Sequence, residues 1–539
     1  MMKQIITYTL LAVCLLSACQ ADDYEAMTGA SDKSEMLSLA VSANDFAVTG
    51  ETSTRSADYG KTTTFEKNDR VGLIVLDEDD NIIANNLPYK FDGSNWNFDT
   101  GNSENKQPAF YDPSMHTYIV YYPYNAAANQ IANVDALKAL GAFAHQADQS
   151  TEDAYRQSDL MVWHSSGASM KQITATLVHV HNSFSLDVKV QWTLATGDAV
   201  SYTPPTSLED VIIYDKDGGQ LSPYCAEDGS YRYILPDDYE GTLRWHYTYE
   251  ENTYGGECTV VAQTAGTRYA QVETSYKGEY SLDKAVPGDF YCSKETDRGN
   301  TGYVVPQEAV SVLDQHRCIG IVFYAEQHDS DDADYTDTGI GQTKCHGYVV
   351  ALTEVHNGSV DRLSWEYGPN GEWDKVVNAS TGNGDWKGYS NHLKFHEFVN
   401  NEDNASWEMK HFPAALACET YGNRTLDQNG NPTSDYAWQQ PLAAPNNTSG
   451  WFLPSRGQLS HLRANNSSLS ARMTDVKNST PADCDYKDKI KGFETNWYYW
   501  SSCETSDRSD RAWGVSFFNG IPDGLNKSRT SGVHAVLAF

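Results

Sequence analysis

Six consecutive residues, Val71-Gly72-Leu73-Ile74-Val75-Leu76, run straight into Asp77-Glu78-Asp79-Asp80-Asn81. An apolar run this short, closed by turn formers, fits a buried strand and is too short for a packed helix. The pattern recurs. Tyr118-Ile119-Val120-Tyr121-Tyr122 stops at Pro123, which has no N–H to give a ladder. From Ile173 to Val190 apolar positions alternate: Leu177, His179 and His181, then Phe184, Leu186, Val188 and Val190. Period-two alternation predicts strands with one buried and one solvated face. Further strands are expected at 211–214, 231–235 and 270–272, with hairpin-turn signals at Asp217-Gly218-Gly219 and Asp228-Gly229. Leu37-Ser38-Leu39-Ala40-Val41 also alternates but is too short to decide anything. Aromatics make up 12% of the chain and include 34 tyrosines, which suits strands and excludes a disordered chain. Residues 37–290 therefore read as two β-sandwich-like units with a boundary near 165–185.

A turn cluster at 280–289 ends this half. Nine of the 13 tryptophans lie beyond residue 360, so a different core is expected there. Helix signals join them. Pro413 suits the first turn of a helix opening at Phe412-Pro413-Ala414-Ala415-Leu416. Ser455 reads as the cap of a second, with Leu459 and Leu462 on one face.

Charge and motifs narrow the function. With 73 acidic against 39 basic residues the formal charge is −34, which excludes phosphate-reading partners and so nucleic acid. It fits a solvated surface protein. No GxSxG, HExxH or P-loop occurs, so no catalytic residue and no cofactor is assigned. No CxxC spacing with partner histidines occurs, and no metal site is assigned. The run Asp329-Ser330-Asp331-Asp332-Ala333-Asp334-Tyr335-Thr336-Asp337 has the oxygen ligands Ca²⁺ takes, but lacks the glycine and distal glutamate of an EF-hand loop. It reads as a solvated acidic loop.

The chain opens with Lys3, an apolar run from Ile5 to Leu16, and Leu16-Ser17-Ala18-Cys19. A basic head and an apolar stretch too short to span a bilayer make a secretory signal. Leu-Ser-Ala before Cys19 resembles a bacterial lipobox. That resemblance implies cleavage before Cys19, acylation of its thiol and anchorage in outer-membrane lipid. The following Gln20-Ala21-Asp22-Asp23-Tyr24-Glu25 resembles the surface-export signal of Bacteroidota lipoproteins. With Cys14 and Cys19 so assigned, eight of the ten cysteines remain, as disulfides or as buried thiols.

Three phrases in order resemble the fimbrillin (type V pilin) family: 65–73 with Asn68-Asp69-Arg70-Val71-Gly72, 86–96 with Asn86-Leu87-Pro88-Tyr89 and Trp96, and Tyr121-Tyr122-Pro123-Tyr124. Leu177-Val178-His179-Val180-His181 is similar to the start of that family's second domain. The resemblance implies a fibre built by strand donation, after a trypsin-like protease removes an N-terminal segment. Arg55, before Ser56 in a polar turn, is the expected cut; Arg70 abuts a strong strand and is the alternative.

Residues 289–539 resemble the C-terminal domain of collagen-like adhesins, similar in pattern to C-type-lectin-like folds. Trp451-Phe452-Leu453-Pro454-Ser455 and Tyr499-Trp500-Ser501-Ser502 carry the likeness. That family usually has Thr at Cys503, so this departure implies a disulfide partner for it, Cys418 or Cys484. Within the motifs Trp451, Trp500 and Trp513 are expected in the core. The loop aromatics Trp373, Trp386, Tyr389 and Trp438 are the candidate ligand-binding side chains, because aromatic faces suit sugar rings.

The expected architecture is mainly β: signal 1–18, lipidated tether 19–36, fimbrillin-like β domains 37–175 and 176–288, and an α+β C-type-lectin-like domain 289–539. The expected protein is a non-enzymatic fimbrial subunit at the cell surface. Because Phe539 closes the last motif with no spare strand to donate, the fibre tip is its expected place. Other fimbrial subunits and a host glycan or matrix protein are its expected partners. The alternative is a glycan-binding surface lipoprotein that never polymerises.

Overall fold

The computed structural model describes residues 35–49, 63–204, 208–236, 239–249, 251–261, 265–297, 299–355, 362–425, 427 and 433–539. Strands dominate, and the chain forms two compact units. Of the described residues, the first gathers those in 35–45, 63–144 and 159–180; the second gathers those in 46–49, 145–158 and 181–539. The two earliest strands are therefore split: β1 (Ser38–Ala43) belongs to the first unit and β2 (Ala47–Thr49) to the second.

In the first unit β3 (Arg70–Leu76), β4 (Ile82–Phe91), β5 (Trp96–Phe98) and β6 (Thr117–Tyr122) are followed by the short helix α1 (Val134–Lys138). The helix α2 (Glu152–Ser158) belongs to the second unit, and the chain then returns as β7 (Met161–Ser166) and β8 (Gln172–His179). The strand order β1-β5-β4-β3-β6-β7-β8 closes on itself as a barrel. A sandwich was the expectation; the parallel pairing of β1 with β8 joins the two ends of the sheet instead. The unbroken apolar run of β3 has a direct cause. Val71, Leu73 and Val75 point into the barrel core, while Ile74 and Leu76 join an outer cluster with Ala128, Leu137 and Phe143. A strand covered on both faces needs no polar positions. β8, by contrast, buries every second residue, Ile173, Ala175, Leu177 and His179.

The second unit begins with a two-sheet sandwich. Its strands are β9 (Ser183–Leu194), β10 (Ala199–Tyr202), β11 (Glu209–Tyr214), β12 (Gln220–Leu221), β13 (Tyr224–Cys225), β14 (Tyr231–Ile234), β15 (Gly241–Tyr249), β16 (Asn252–Val260) and β17 (Thr267–Tyr280). One sheet runs β13-β14-β9-β17-β2 with β10 on β9; the other runs β12-β11-β15-β16. Phe184, Leu186, Tyr233 and Tyr269 of the first meet Ile213, Leu243, Trp245 and Tyr247 of the second.

The chain continues through β18 (Phe290–Thr296), β19 (Gly299–Val305), β20 (Arg317–Ala325), β21 (Gly347–Glu354), α3 (Gly388–Val399) and α4 (Pro413–Glu419). Then come β22 (Trp451–Phe452), α5 (Arg456–Ala464), α6 (Asn466–Ser479), β23 (Tyr498–Glu504), β24 (Arg511–Ser516), β25 (Pro522–Asn526) and β26 (His534–Ala538). A six-stranded sheet, β19-β18-β20-β21-β26-β22, sits with a three-stranded one, β23-β24-β25. Both helix signals read from sequence are present. Pro413 opens α4, and Ser455 and Gln458 form a reciprocal capping box at α5. Val190, Leu194, Val200, Tyr202 and Tyr280 of the sandwich share one hydrophobic cluster with Phe290, Ile319, Val349 and Trp451, so this apolar core is continuous across residue 289. No helix among the described residues is long and apolar enough to cross a membrane.

Candidate functional site

The first candidate is β1 itself. Its six residues pair in parallel with Gln172–Leu177 of β8, and Leu39 pairs antiparallel with Trp96 of β5. Leu37 and Leu39 are buried in the barrel core. The Leu37 N–H donates to the Ala109 carbonyl at 3.0 Å. The Tyr89 hydroxyl donates to the Leu37 carbonyl at 3.0 Å and the Trp96 indole to the Val41 carbonyl at 3.2 Å. Burial pushes the Tyr89 hydroxyl up to about 12, so it stays a donor. β1 is thus an interior strand, and taking it away would leave β5 and β8 as facing edges with unpaired backbone groups. Burying Leu39, and Leu37 just ahead of the strand, contributes roughly 1.5–3 kcal/mol each. Cys19, Arg55 and Ser56 lie outside the described residues.

The second candidate is a cleft of about 460 Å³ in the second unit, lined by Asn378, Thr381, Glu504, Thr505, Asp507 and Arg508 among others. Glu504 ties its lining to a buried charge cluster. Lys527 is fully buried and places its ammonium 2.8 Å from Glu504 and 3.1 Å from Glu366. Glu504 accepts the Val377 and Ala379 N–H groups at 3.2 and 3.1 Å, and Glu366 accepts that of Lys375 at 3.0 Å. Asn378 between them adopts φ 61°, a left-handed conformation that asparagine tolerates better than most side chains. Burial, with Glu504 adding to it against the pull of Lys527, raises the Glu366 carboxyl to about 7. Hydroxyl, amide, carboxylate and guanidinium groups around an open cleft are what a polyhydroxylated ligand would meet.

The four aromatics singled out from sequence do not assemble into one platform. Trp386 is 5% exposed and stacks flat on His328 at 4.3 Å, so it is a core residue and has no face free for a ligand. Tyr389 is half-buried between Tyr335 at 5.2 Å and Phe452 at 5.7 Å. Trp438 is half-buried under the Lys489 ammonium at 4.8 Å. Trp373 alone is well exposed, at 41%, on a stretch where Tyr367 and Val376 are exposed too. Trp451 and Trp500 are buried as expected, and Trp513, with the Arg456 guanidinium 3.8 Å from its ring centre, is partly buried.

Two expectations are corrected. The run 329–337 is not a solvated loop: Asp331 and Tyr335 are buried, and Asp331 accepts the hydroxyls of Tyr335 and Tyr348 at 2.7 and 2.6 Å. Asp332 takes Lys387 at 2.6 Å and Ser390 at 2.7 Å. Protein donors satisfy these carboxylates. Cys503 has no disulfide partner; all eight described cysteines, Cys418 and Cys484 included, are free thiols. Cys503 is buried beside Ser380, the Arg456 N–H and Asp385, and burial pushes its thiol up to about 12.

One cluster went unread in the sequence. Among the described residues, metal-ligating side chains gather at His392, His396 and Glu419, whose ligand atoms all lie within 4.8 Å of one another. The His392/His396 spacing of four was a visible signal; Glu419 arrives from a separate helix.

Comparison with known proteins bears on the first half of the chain most directly. A family described as fimbrillin-like matches residues 54–301. A Bacteroides ovatus protein named "Putative fimbrium tip subunit Fim1C" is 25% identical over 505 residues, which is 86% of each chain. Among solved structures, a fimbrial protein from Bacteroides ovatus aligns over 94% of this chain and 100% of its own at 20% identity and a TM-score of 0.35. A fimbrial assembly protein from Parabacteroides distasonis aligns over 44% of this chain and 90% of its own at 11% identity and a TM-score of 0.27. Over residues 54–301 the chain is thus similar to the fimbrillin-like family.

Proposed function

We propose that this chain is a fimbrial tip subunit, exported as an outer-membrane lipoprotein acylated at Cys19 and activated by a proteolytic cut between Arg55 and Ser56. The observation that carries this reading is the position of β1. A strand that lies between β5 and β8, upstream of the cut, is the strand whose release opens an acceptor groove. The same cut releases β2 from its parallel pairing with β17. A strand of a neighbouring subunit then fills the groove, restoring the ladder hydrogen bonds and burying apolar side chains where Leu37 and Leu39 lay. The relative's name as a tip subunit supports the position in the fibre.

Residues 289–539, read as a C-type-lectin-like domain, present the ligand-binding surface in this proposal. The cleft of Asn378, Thr505, Asp507 and Arg508 with the exposed Trp373 is its favoured part, with a glycan or matrix protein as ligand.

The test is limited digestion of the purified mature protein with a trypsin-like protease, followed by N-terminal sequencing and mass measurement. A single early cut giving Ser56 as the new N-terminus, with gained binding of a strand peptide from a fibre subunit, supports the proposal. An intact acylated N-terminus on surface protein that never joins fibres would sink it, in favour of a non-polymerising glycan-binding lipoprotein.

A further inference from the structure

We propose that His392, His396 and Glu419 form a binding site for one divalent first-row metal ion, of which Zn²⁺ is the type. Two histidines four apart on α3 project from the same helix face, because 3.6 residues make a turn. Glu419 ends α4 and brings its carboxylate to that face, with Oε1 3.3 Å from the His396 Nε2. The two imidazole rings lie 4.8 Å apart at 72°, edge to face.

An ion pair between His396 and Glu419 accounts for only part of this arrangement. The second carboxylate oxygen of Glu419 is buried and has no hydrogen-bond partner among the described residues. His392 likewise has no hydrogen bond to either ring nitrogen among them; its neighbours are the rings of Tyr389 and His396. A buried polar atom without a partner costs about 1–3 kcal/mol, so such an atom beside two imidazoles calls for a ligand.

The donor set selects the ion. Two imidazoles and one carboxylate suit zinc and its first-row neighbours, whereas Ca²⁺ takes six to eight oxygens. Zn²⁺ holds such atoms at roughly 2.0–2.2 Å, so the ligand atoms must draw together by a small rotation of each side chain. Three protein ligands leave a fourth position. His396 and Glu419 are 34% and 32% exposed, so that position faces water or a donor atom from a partner. The bound ion would pin α3 to the end of α4.

The full mature chain, without a histidine tag and stripped by a chelator, should be titrated with Zn²⁺ by calorimetry and with Co²⁺ by visible absorption. The expected result is one ion per chain and a tetrahedral Co²⁺ spectrum. His392→Gln and His396→Gln should each weaken binding by more than the roughly 10–100-fold that loss of an outer-shell partner costs. Glu419→Gln should weaken it less while altering the Co²⁺ bands. Should His392→Gln fail to fold, His396→Gln and Glu419→Gln decide, because both side chains are about one-third exposed. Absence of a stoichiometric Zn²⁺ event, or full-strength binding in His396→Gln, overturns the proposal.

Discussion

Two strands near the two ends of the chain occupy interior positions in their sheets, and they are built very differently. β1 closes the first unit between β5 and β8; β26 lies between β21 and β22 in the second. β26 buries all five of its residues, while β1 alternates, with Leu39 fully buried and Ser38 and Ala40 exposed. β1 sits in a parallel ladder, which is slightly weaker per residue than an antiparallel one. The pairs of β26 are antiparallel on both sides. A strand bound through a few core contacts can be exchanged for another of like pattern. A strand whose every side chain is in the core cannot leave without unfolding its unit. Closure of a sheet and commitment to the fold are therefore separable properties.

That contrast can be sharpened by substitution. The largest expected effect is at the charge cluster of the second unit: Lys527→Met leaves Glu366 and Glu504 buried without their cation and should cost about 3–5 kcal/mol in urea unfolding of the full chain. Next, Leu537→Ala in β26 should cost about 3 kcal/mol, the transfer term plus a cavity in a fully buried site. pH gives a third handle. The folded value of Glu366, about 7, lies above its ordinary 4.5, so the native state holds a proton that the unfolded chain has released. Unfolding free energy should therefore fall as pH rises from about 4.5 to about 7, by an amount on the order of 3 kcal/mol, and be flat above that window for this group. Urea midpoints at pH 5 and pH 8 read it, and Glu366→Gln should remove the difference. The smallest effect is at β1. Leu39→Ala should destabilise the precursor by about 2 kcal/mol, and the thermal midpoint of the protease-cut, fibre-assembled subunit should not move at all. An equal loss in both forms would break the comparison, because it would mean β1 stays in place.

The features legible in the sequence share a short range. The run Val71–Leu76, the alternation through Leu177 and Leu186, and the caps at Pro413 and Ser455 all became the expected elements. Each is set by residues within about ten positions, through strand period, turn chemistry or a cap's hydrogen bond. Leu37–Val41 was set aside as too short, yet it is β1; what makes it a strand is β8, with Ser42 and Thr176 hydrogen-bonded 134 residues apart. Trp386 looked like a loop aromatic and is covered by His328 and Tyr324. The acidic run 329–337 looked solvated because two of its donors, the buried Tyr348 and the partly exposed Lys387, lie outside it. Cys503 looked like a disulfide half and is a thiol enclosed by polar neighbours from three other segments.

By itself, then, the sequence determined that the chain is mainly β, where its strands and caps fall, and which phrases mark it as fimbrillin-like. The first two follow from local periodicity and backbone chemistry; the last is a resemblance carried by the phrases themselves. Only the tertiary structure decided that the first sheet closes as a barrel, that its closing strand is β1, and that His392, His396 and Glu419 meet. Each of these depends on the path of the whole chain, because a contact between distant segments is fixed by the packing of everything between them and not by any pattern within either one.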